Sequence, residues 1–165
     1  MRIELRKISY SAQLSEETSA FSADIWIDGH KAGHASNHGQ GGATMIAPQA
    51  LQVRLDEHGK TLPVEIVETS GGGQPLRIQP DGEWIVGGLL TNWLLLRDLK
   101  RDLRNRLLYT RADKPGLFRT RTFTPAQVQQ ILGSAEIRAK WNVGVFLNTL
   151  PQDEALALYR KHGAG

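Results

Sequence analysis

The sequence contains no cysteine, and this absence excludes several kinds of chemistry. A chain of 165 residues without thiols forms no disulfide, no thiolate metal site and no cysteine nucleophile. The most apolar run, Trp84 to Leu96, has only 13 residues and includes Thr91 and Asn92, whereas a membrane-spanning helix needs about 20. The N-terminus also lacks the apolar core of a signal peptide. We therefore expect a cytoplasmic protein with no membrane partner.

Recognisable catalytic signatures are missing as well. The sequence has no Gly-x-Ser-x-Gly and no His-Glu-x-x-His motif, and no close pair of carboxylates stands in a mechanistic context. We therefore predict no catalytic residue, no metal ligand and no cofactor. The interpretation favours a binding protein over an enzyme.

The pattern of apolar residues predicts a single α+β domain over residues 1–165. We expect N-terminal antiparallel strands with a hairpin, three to four helices and a further hairpin around a "DKPG" turn, without the strict strand–helix alternation of parallel sheets. The strongest helix should run from about Leu89 to Leu108, where apolar residues recur at helical spacing. The glycines near residues 69–75 predict a flexible loop.

The first hairpin is predicted from its turn residues. Asp28 and Gly29 suit a type I′ turn, in which both central residues need positive φ. In that register Ala23 pairs with His34. The side chains of His30 and His34 would then lie on the apolar side of the strands.

Positive charge is concentrated in one window of the sequence. Residues 97–121 hold nine cations against three acids and carry a charge of +6, whereas the rest carries −3 and the whole chain +3. The nine cations are Arg97, Lys100, Arg101, Arg104, Arg106, Arg111, Lys114, Arg119 and Arg121. The first four share an arc of about 100° on the predicted helix. This concentration of positive charge favours an acidic partner, either nucleic acid or a protein that handles nucleic acid.

A plainer interpretation of these cations is a solvated helix face. Its arginines would pair with acids of the same helix, as Asp98 with Arg101 and Asp102 with Arg106. Three aromatic residues also lie among the cations, and they could stack on bases or belong to the core. They are Tyr109, Phe118 and Phe123.

The segment from Gly29 to Gly42 is a second candidate site, because three histidines spaced four residues apart precede a glycine cluster. Two histidines four residues apart on one strand lie about 13 Å from each other, too far to share a zinc ion that binds nitrogen at about 2.0–2.1 Å. The phosphate-loop ending Gly-Lys-Ser/Thr is absent. An anion- or nucleotide-binding loop remains an alternative, and it would consist of His38, Gly39, Gly41 and Gly42.

Two stretches, "LSEETSAFSADIWIDGHKAGHASNHGQGG" and "FLNTLPQDEALALYRK", resemble a group of small uncharacterised proteins from phages, prophages and other mobile elements. The resemblance covers the opening of the chain and about its last tenth, and the middle is similar only in the order of its elements. His38 stands where many of those proteins have an acidic residue. The resemblance implies an accessory protein of a bacterial host cell that binds host proteins or nucleic acid.

These observations together predict a small accessory binding protein that acts through its basic residues on nucleic acid or on a nucleic-acid-handling host protein. One alternative is an inhibitor of a bacterial defence system that binds a protein without nucleic acid. A second alternative is a nucleotide-binding or metal-dependent enzyme that uses His34, His38 and the loop Gly39–Gly42.

Overall fold

The computed structural model describes residues 1–69 and 73–163 and shows a mixed α+β chain, as predicted. The chain divides into two units, Met1–Thr91 and Asn92–Gly165, and the boundary falls inside one long helix. A single domain over residues 1–165 stays a prediction. The loop expected at residues 69–75 includes residues 70–72, which lie outside the described residues.

The first unit is built on a four-stranded antiparallel sheet in the order β1-β2-β3-β4. Ala23 and Ile25 of this sheet and Leu55 of the following helix are almost completely buried in the core. A separate two-stranded antiparallel sheet, β5-β6, completes the unit. The elements of the first unit that precede the long helix are β1 (Ile3–Ser11), β2 (Ala20–Ile27), β3 (His30–Asn37), β4 (Met45–Ala47), α1 (Gln49–Gly59), β5 (Glu65–Val67) and β6 (Leu76–Ile78).

The turn of the first hairpin has the predicted backbone. Asp28 and Gly29 have φ angles of 49° and 84°, the positive values that a type I′ turn requires. The turn is therefore encoded by these two residues.

The predicted pairing of Ala23 with His34 is wrong. The register shifts by one residue between Ile25 and Trp26, so that Asp24 faces His34. This β-bulge places one extra residue in β3, and a shift of one residue moves each side chain to the opposite face of a strand. His34 therefore lies on the polar side of the sheet, opposite a carboxylate.

The second unit combines a three-stranded antiparallel sheet, in the order β8-β7-β9, with helices. Helix α2 (Gly82–Asn105) begins seven residues before the predicted start and ends before Leu108, which belongs to β7. The other elements are β7 (Leu108–Arg111), β8 (Leu117–Arg119), α3 (Pro125–Leu132), α4 (Ala135–Lys140), β9 (Val143–Phe146), a 3₁₀ turn (Leu147–Thr149) and α5 (Gln152–Gly163). Within residues 1–69 and 73–163, no helix is long and apolar enough to cross a membrane.

Two apolar clusters form the core of the second unit. Leu99 of α2 packs with Leu147 and Tyr159 in one cluster, and Val128 of α3 packs with Phe146 in the other. The predicted "DKPG" hairpin is present as β7 and β8. The core thus fixes the hairpin and the second half of α2 within one unit.

Helix α3 begins at a capping box. The side chain of Thr124 accepts a hydrogen bond from the backbone N–H of Gln127, whose side chain accepts one from the N–H of Thr124. Pro125 occupies the first turn, where its missing N–H costs nothing. These contacts satisfy two of the N–H groups that every helix start exposes.

Candidate functional site

All nine cations of the predicted site lie in the second unit, and we refer to them as the basic surface. This unit holds thirteen lysines and arginines against six acids, a net charge of +7. The first unit holds seven against eleven and carries −4. Charge is therefore divided between the two units.

One exposed face of α2 contributes four cations. Arg97, Lys100, Arg101 and Arg104 are all exposed, and at 100° per residue they occupy an arc of about 100°. Leu99, which is only 1% exposed, projects about 150° from the centre of that arc. The structure thus brings these four cations together on the solvent side of the helix.

The carboxylate of Asp98 contacts two of these arginines, as predicted for one of them. Its Oδ1 lies 3.1 Å from Nη1 of Arg101 and 3.3 Å from Nη2 of Arg97. The Arg97 guanidinium also lies 5.3 Å from the ring centroid of Trp93. Because exposed ion pairs contribute only about 0–1 kcal/mol, Asp98 orients these arginines more than it stabilises the fold.

Asp102 joins two further cations of the basic surface. Its side chain is only 6% exposed, and its oxygens lie 3.4 Å from Nη1 of Arg119 and 3.9 Å from Nη1 of Arg106. Arg106, which the sequence placed on the helix, follows its last residue Asn105. The contact with Arg119 links the second strand of the hairpin to α2.

Tyr159 of α5 completes the surroundings of Asp102, and no local sequence pattern predicts this contact. Its hydroxyl donates a hydrogen bond of 3.4 Å to Oδ2 of Asp102. Burial, together with the negative charge of Asp102, raises the pKa of Tyr159 above its ordinary value of 10.0. The two residues are 57 positions apart, so only the fold brings them together.

The hairpin carries the remaining arginines. Arg111 donates hydrogen bonds of 2.9 and 2.6 Å to the two carboxylate oxygens of Asp113, and this contact lowers the pKa of Asp113. Its guanidinium also lies 5.4 Å from the ring centroid of Phe118. Strand β8 ends at Arg119, so Arg121 lies beyond the hairpin. Arg121 lies over Phe123.

Four cations of the basic surface have no carboxylate partner. Within the described residues, no Asp or Glu oxygen lies within 4.0 Å of their charged nitrogens. These four are Lys100, Arg104, Lys114 and Arg121. Asp98 and Asp102 pair with only four of the nine cations. These four are Arg97, Arg101, Arg106 and Arg119.

The aromatic residues of this region pack with one another. Tyr109 stacks on Phe118 and Trp141 at centroid distances of 5.7 and 5.6 Å, and it meets the edge of Phe146 at 5.9 Å. Tyr109 is thus in contact with three other aromatic rings. Of the two roles considered for Tyr109, its contacts favour the core.

The histidines of the first unit are distant in sequence from the basic surface, and one of them contacts a carboxylate of its own sheet. Asp24 lies 2.8 Å from Nζ of Lys31 and 3.6 Å from Nδ1 of His34, and the Lys31 hydrogen bond lowers the pKa of Asp24. His30 and His38 are exposed. Among residues 1–69 and 73–163, no cluster of three or more His, Cys, Asp or Glu side chains is suited to hold a metal ion.

Two side chains that were not predicted for this site, Asn37 and Thr18, hold the glycine loop in place. Asn37 accepts a hydrogen bond from the N–H of Gly39 and donates one to the carbonyl of Gly42, both 2.8 Å long. Thr18 accepts a bond of 3.3 Å from the N–H of Gly41. An Asn two residues before a Gly is a recognisable signal for such a turn.

These contacts bear on the predicted anion loop. The N–H groups of Gly39 and Gly41, which a phosphate would need, already have partners within the chain. Strand β4 also separates the loop from α1, so the glycines do not stand at a helix N-terminus. Anion binding at His38, Gly39, Gly41 and Gly42 stays a prediction that none of these contacts favours.

Comparison with protein families, curated proteins and solved structures finds no match to this chain. The resemblance to small phage and mobile-element proteins therefore stays a prediction.

Proposed function

We propose that this protein binds nucleic acid through the basic surface of its second unit. One observation carries the proposal: the exposed arc of α2 in a unit of charge +7 presents Arg97, Lys100, Arg101 and Arg104, and two of them have no carboxylate partner in the described part of the chain. In the setting that the sequence resemblance implies, it acts as a phage-type accessory protein in the cytoplasm of a bacterial host.

The chemistry of the cations supports a phosphate ligand. Seven of the nine are arginines, whose planar guanidinium donates two parallel hydrogen bonds to phosphate oxygens. Each cation that neutralises a backbone phosphate also releases condensed counterions, which favours binding at low salt. A surface with several cations free of carboxylates suits a polymer that carries one charge per nucleotide.

The main rival is an acidic protein surface, as the inhibitor interpretation requires. The two partners differ in a measurable way, because phosphate binding gives a linear fall of log K with log salt whose slope counts the phosphate contacts. The test is therefore a titration with labelled single- and double-stranded DNA and RNA, followed by fluorescence anisotropy at several salt concentrations.

The double variant Lys100→Glu/Arg104→Glu supplies the decisive comparison. Both residues are exposed, and glutamate is a good helix former, so the two substitutions should preserve α2. We expect weaker binding and a salt slope smaller by about 1.4 to 1.8, which corresponds to two lost phosphate contacts at about 0.7 to 0.9 each. Arg54→Glu/Arg77→Glu is the matched control, because it changes the net charge equally at two exposed positions of the first unit.

Equal losses in the two double variants would show that net charge alone attracts the polymer, and the basic surface would not be the site. An absence of binding to every nucleic acid at low salt would refute the proposal altogether. In that case an acidic protein partner, sought by pull-down, becomes the better hypothesis.

A further inference from the structure

A cavity of about 200 Å³ lies next to the basic surface, between α2, α3 and the 3₁₀ turn. Its apolar lining includes Leu103 of α2 and Val128 and Leu132 of α3. Arg104 also lines it, so one of the cations without a carboxylate partner borders the cavity directly. Apolar surface and positive charge therefore meet at one place.

The volume limits what the cavity can hold. It far exceeds the share of about 30 Å³ that one water molecule occupies in the liquid. It is smaller than the roughly 300–1,000 Å³ of pockets that enclose a complete drug-sized ligand or cofactor. A space of this size suits one planar ring of a larger ligand whose remainder stays outside.

Two amide side chains give the cavity polar groups beside its apolar lining. Asn148 is already engaged, since its Nδ2 donates to the carbonyls of Leu103 and Arg106 and its Oδ1 accepts from the N–H of Leu108. Gln129 is exposed and has no hydrogen-bond partner in the described chain. An amide with free donor and acceptor groups is suited to the edge of a nucleobase.

We propose that this cavity receives one unpaired base of a single-stranded nucleic acid whose adjoining phosphate contacts Arg104. The inference rests on the proposed function and specifies its ligand. A base in a duplex is stacked and paired, and it would first have to be extruded at a cost of a few kcal/mol. The basic surface therefore selects single strands over duplexes.

The test compares three probes of equal phosphate number at one salt concentration: a single-stranded oligonucleotide, the same strand without bases, and a short duplex. We expect the wild-type protein to bind the single strand about tenfold more tightly than either other probe. Gln129→Leu removes the amide that would contact the edge of the base and adds no stacking ring, so it should lower this preference by about threefold to tenfold.

Gln130→Leu is the matched control, because Gln130 is an exposed neighbour on α3 that does not line the cavity. It should keep both the preference for bases and the affinity for the abasic strand. Equal affinity of the wild type for the single strand and the abasic strand would overturn the inference and leave the proposed function intact. So would a preference that Gln129→Leu leaves undiminished. If no probe binds at low salt, both proposals fail.

Discussion

Replacing Asp102 with asparagine tests whether one buried carboxylate holds part of the basic surface in place. The variant keeps the size of the side chain and removes its charge. At distances of 3.4 and 3.9 Å, two unit charges attract by about 4–5 kcal/mol at an effective dielectric constant of about 20. Desolvation of the carboxylate and the solvent exposure of both arginines offset most of this attraction. We expect a net loss of about 1–3 kcal/mol in the free energy of unfolding.

A loss of this size should be visible in thermal unfolding. Since the melting temperature of a chain of this length falls by about 2–4 °C per kcal/mol, Asp102→Asn should lower it by roughly 2–12 °C. Asp98→Asn is the control, because it removes the same charge from a carboxylate that is 32% exposed and should cost at most about 1 kcal/mol. If denaturant unfolding gives the same free-energy loss for both variants, burial of Asp102 does not matter and the reasoning is wrong.

Two further predictions concern the dependence of stability on pH. The Lys31 hydrogen bond lowers the pKa of Asp24 below 3.8, so the contribution of Asp24 is present above that value and is lost as pH falls through the folded pKa. Asp24→Asn should therefore flatten the acid limb of the free energy of unfolding, and an unchanged limb would contradict this. Burial raises the pKa of Tyr159 above 10.0, so the unfolded chain ionises first and stability falls as pH rises above about 10. Tyr159→Phe should reduce that alkaline loss in denaturant titrations, and an equal loss in both proteins would exclude Tyr159 as its source.

The sequence predicts best those features that depend on residues only a few positions apart, such as turns, helix caps and ion pairs within one helix. The Asp28-Gly29 turn appears as predicted, and the Thr124–Gln127 capping box follows a pattern that the sequence itself displays. A turn or a cap is decided by short-range backbone geometry, so the sequence suffices. The pairing of Asp98 with Arg101 is local in the same sense, since residues three apart are neighbours on a helix.

The start of α2 was predicted too late because the periodicity is unclear there. Val86, Leu90 and Leu99 are all buried, but at 100° per residue Leu99 projects about 140° away from Val86, so the buried side chains form no single stripe from end to end of the helix. A different signal was present, since Oδ1 of Asp81 accepts a hydrogen bond from the N–H of Trp84. An aspartate three residues earlier is the pattern of a helix N-cap.

Contacts between distant residues could not be predicted from one sequence. The bulge that places His34 opposite Asp24 depends on how two strands pair, and a single extra residue changes the face of every side chain beyond it. The contact of Asp102 with Tyr159 likewise depends on the packing of α5 in the core. All nine cations of the basic surface could be named from the sequence, whereas the contact of Asp102 with Arg119, 17 residues away, depends on the fold.

Asp98 and Asp102 position arginines of the basic surface without cancelling their positive charge. Asp98 contacts Arg97 and Arg101, and Asp102 contacts Arg106 and Arg119, so each carboxylate serves two guanidinium groups and leaves a net positive charge. A side chain that is already oriented loses less conformational freedom when a ligand binds. Under the proposed function, the ion pairs that suggest an ordinary solvated face also orient its arginines for phosphate, so the two interpretations of the sequence do not exclude each other.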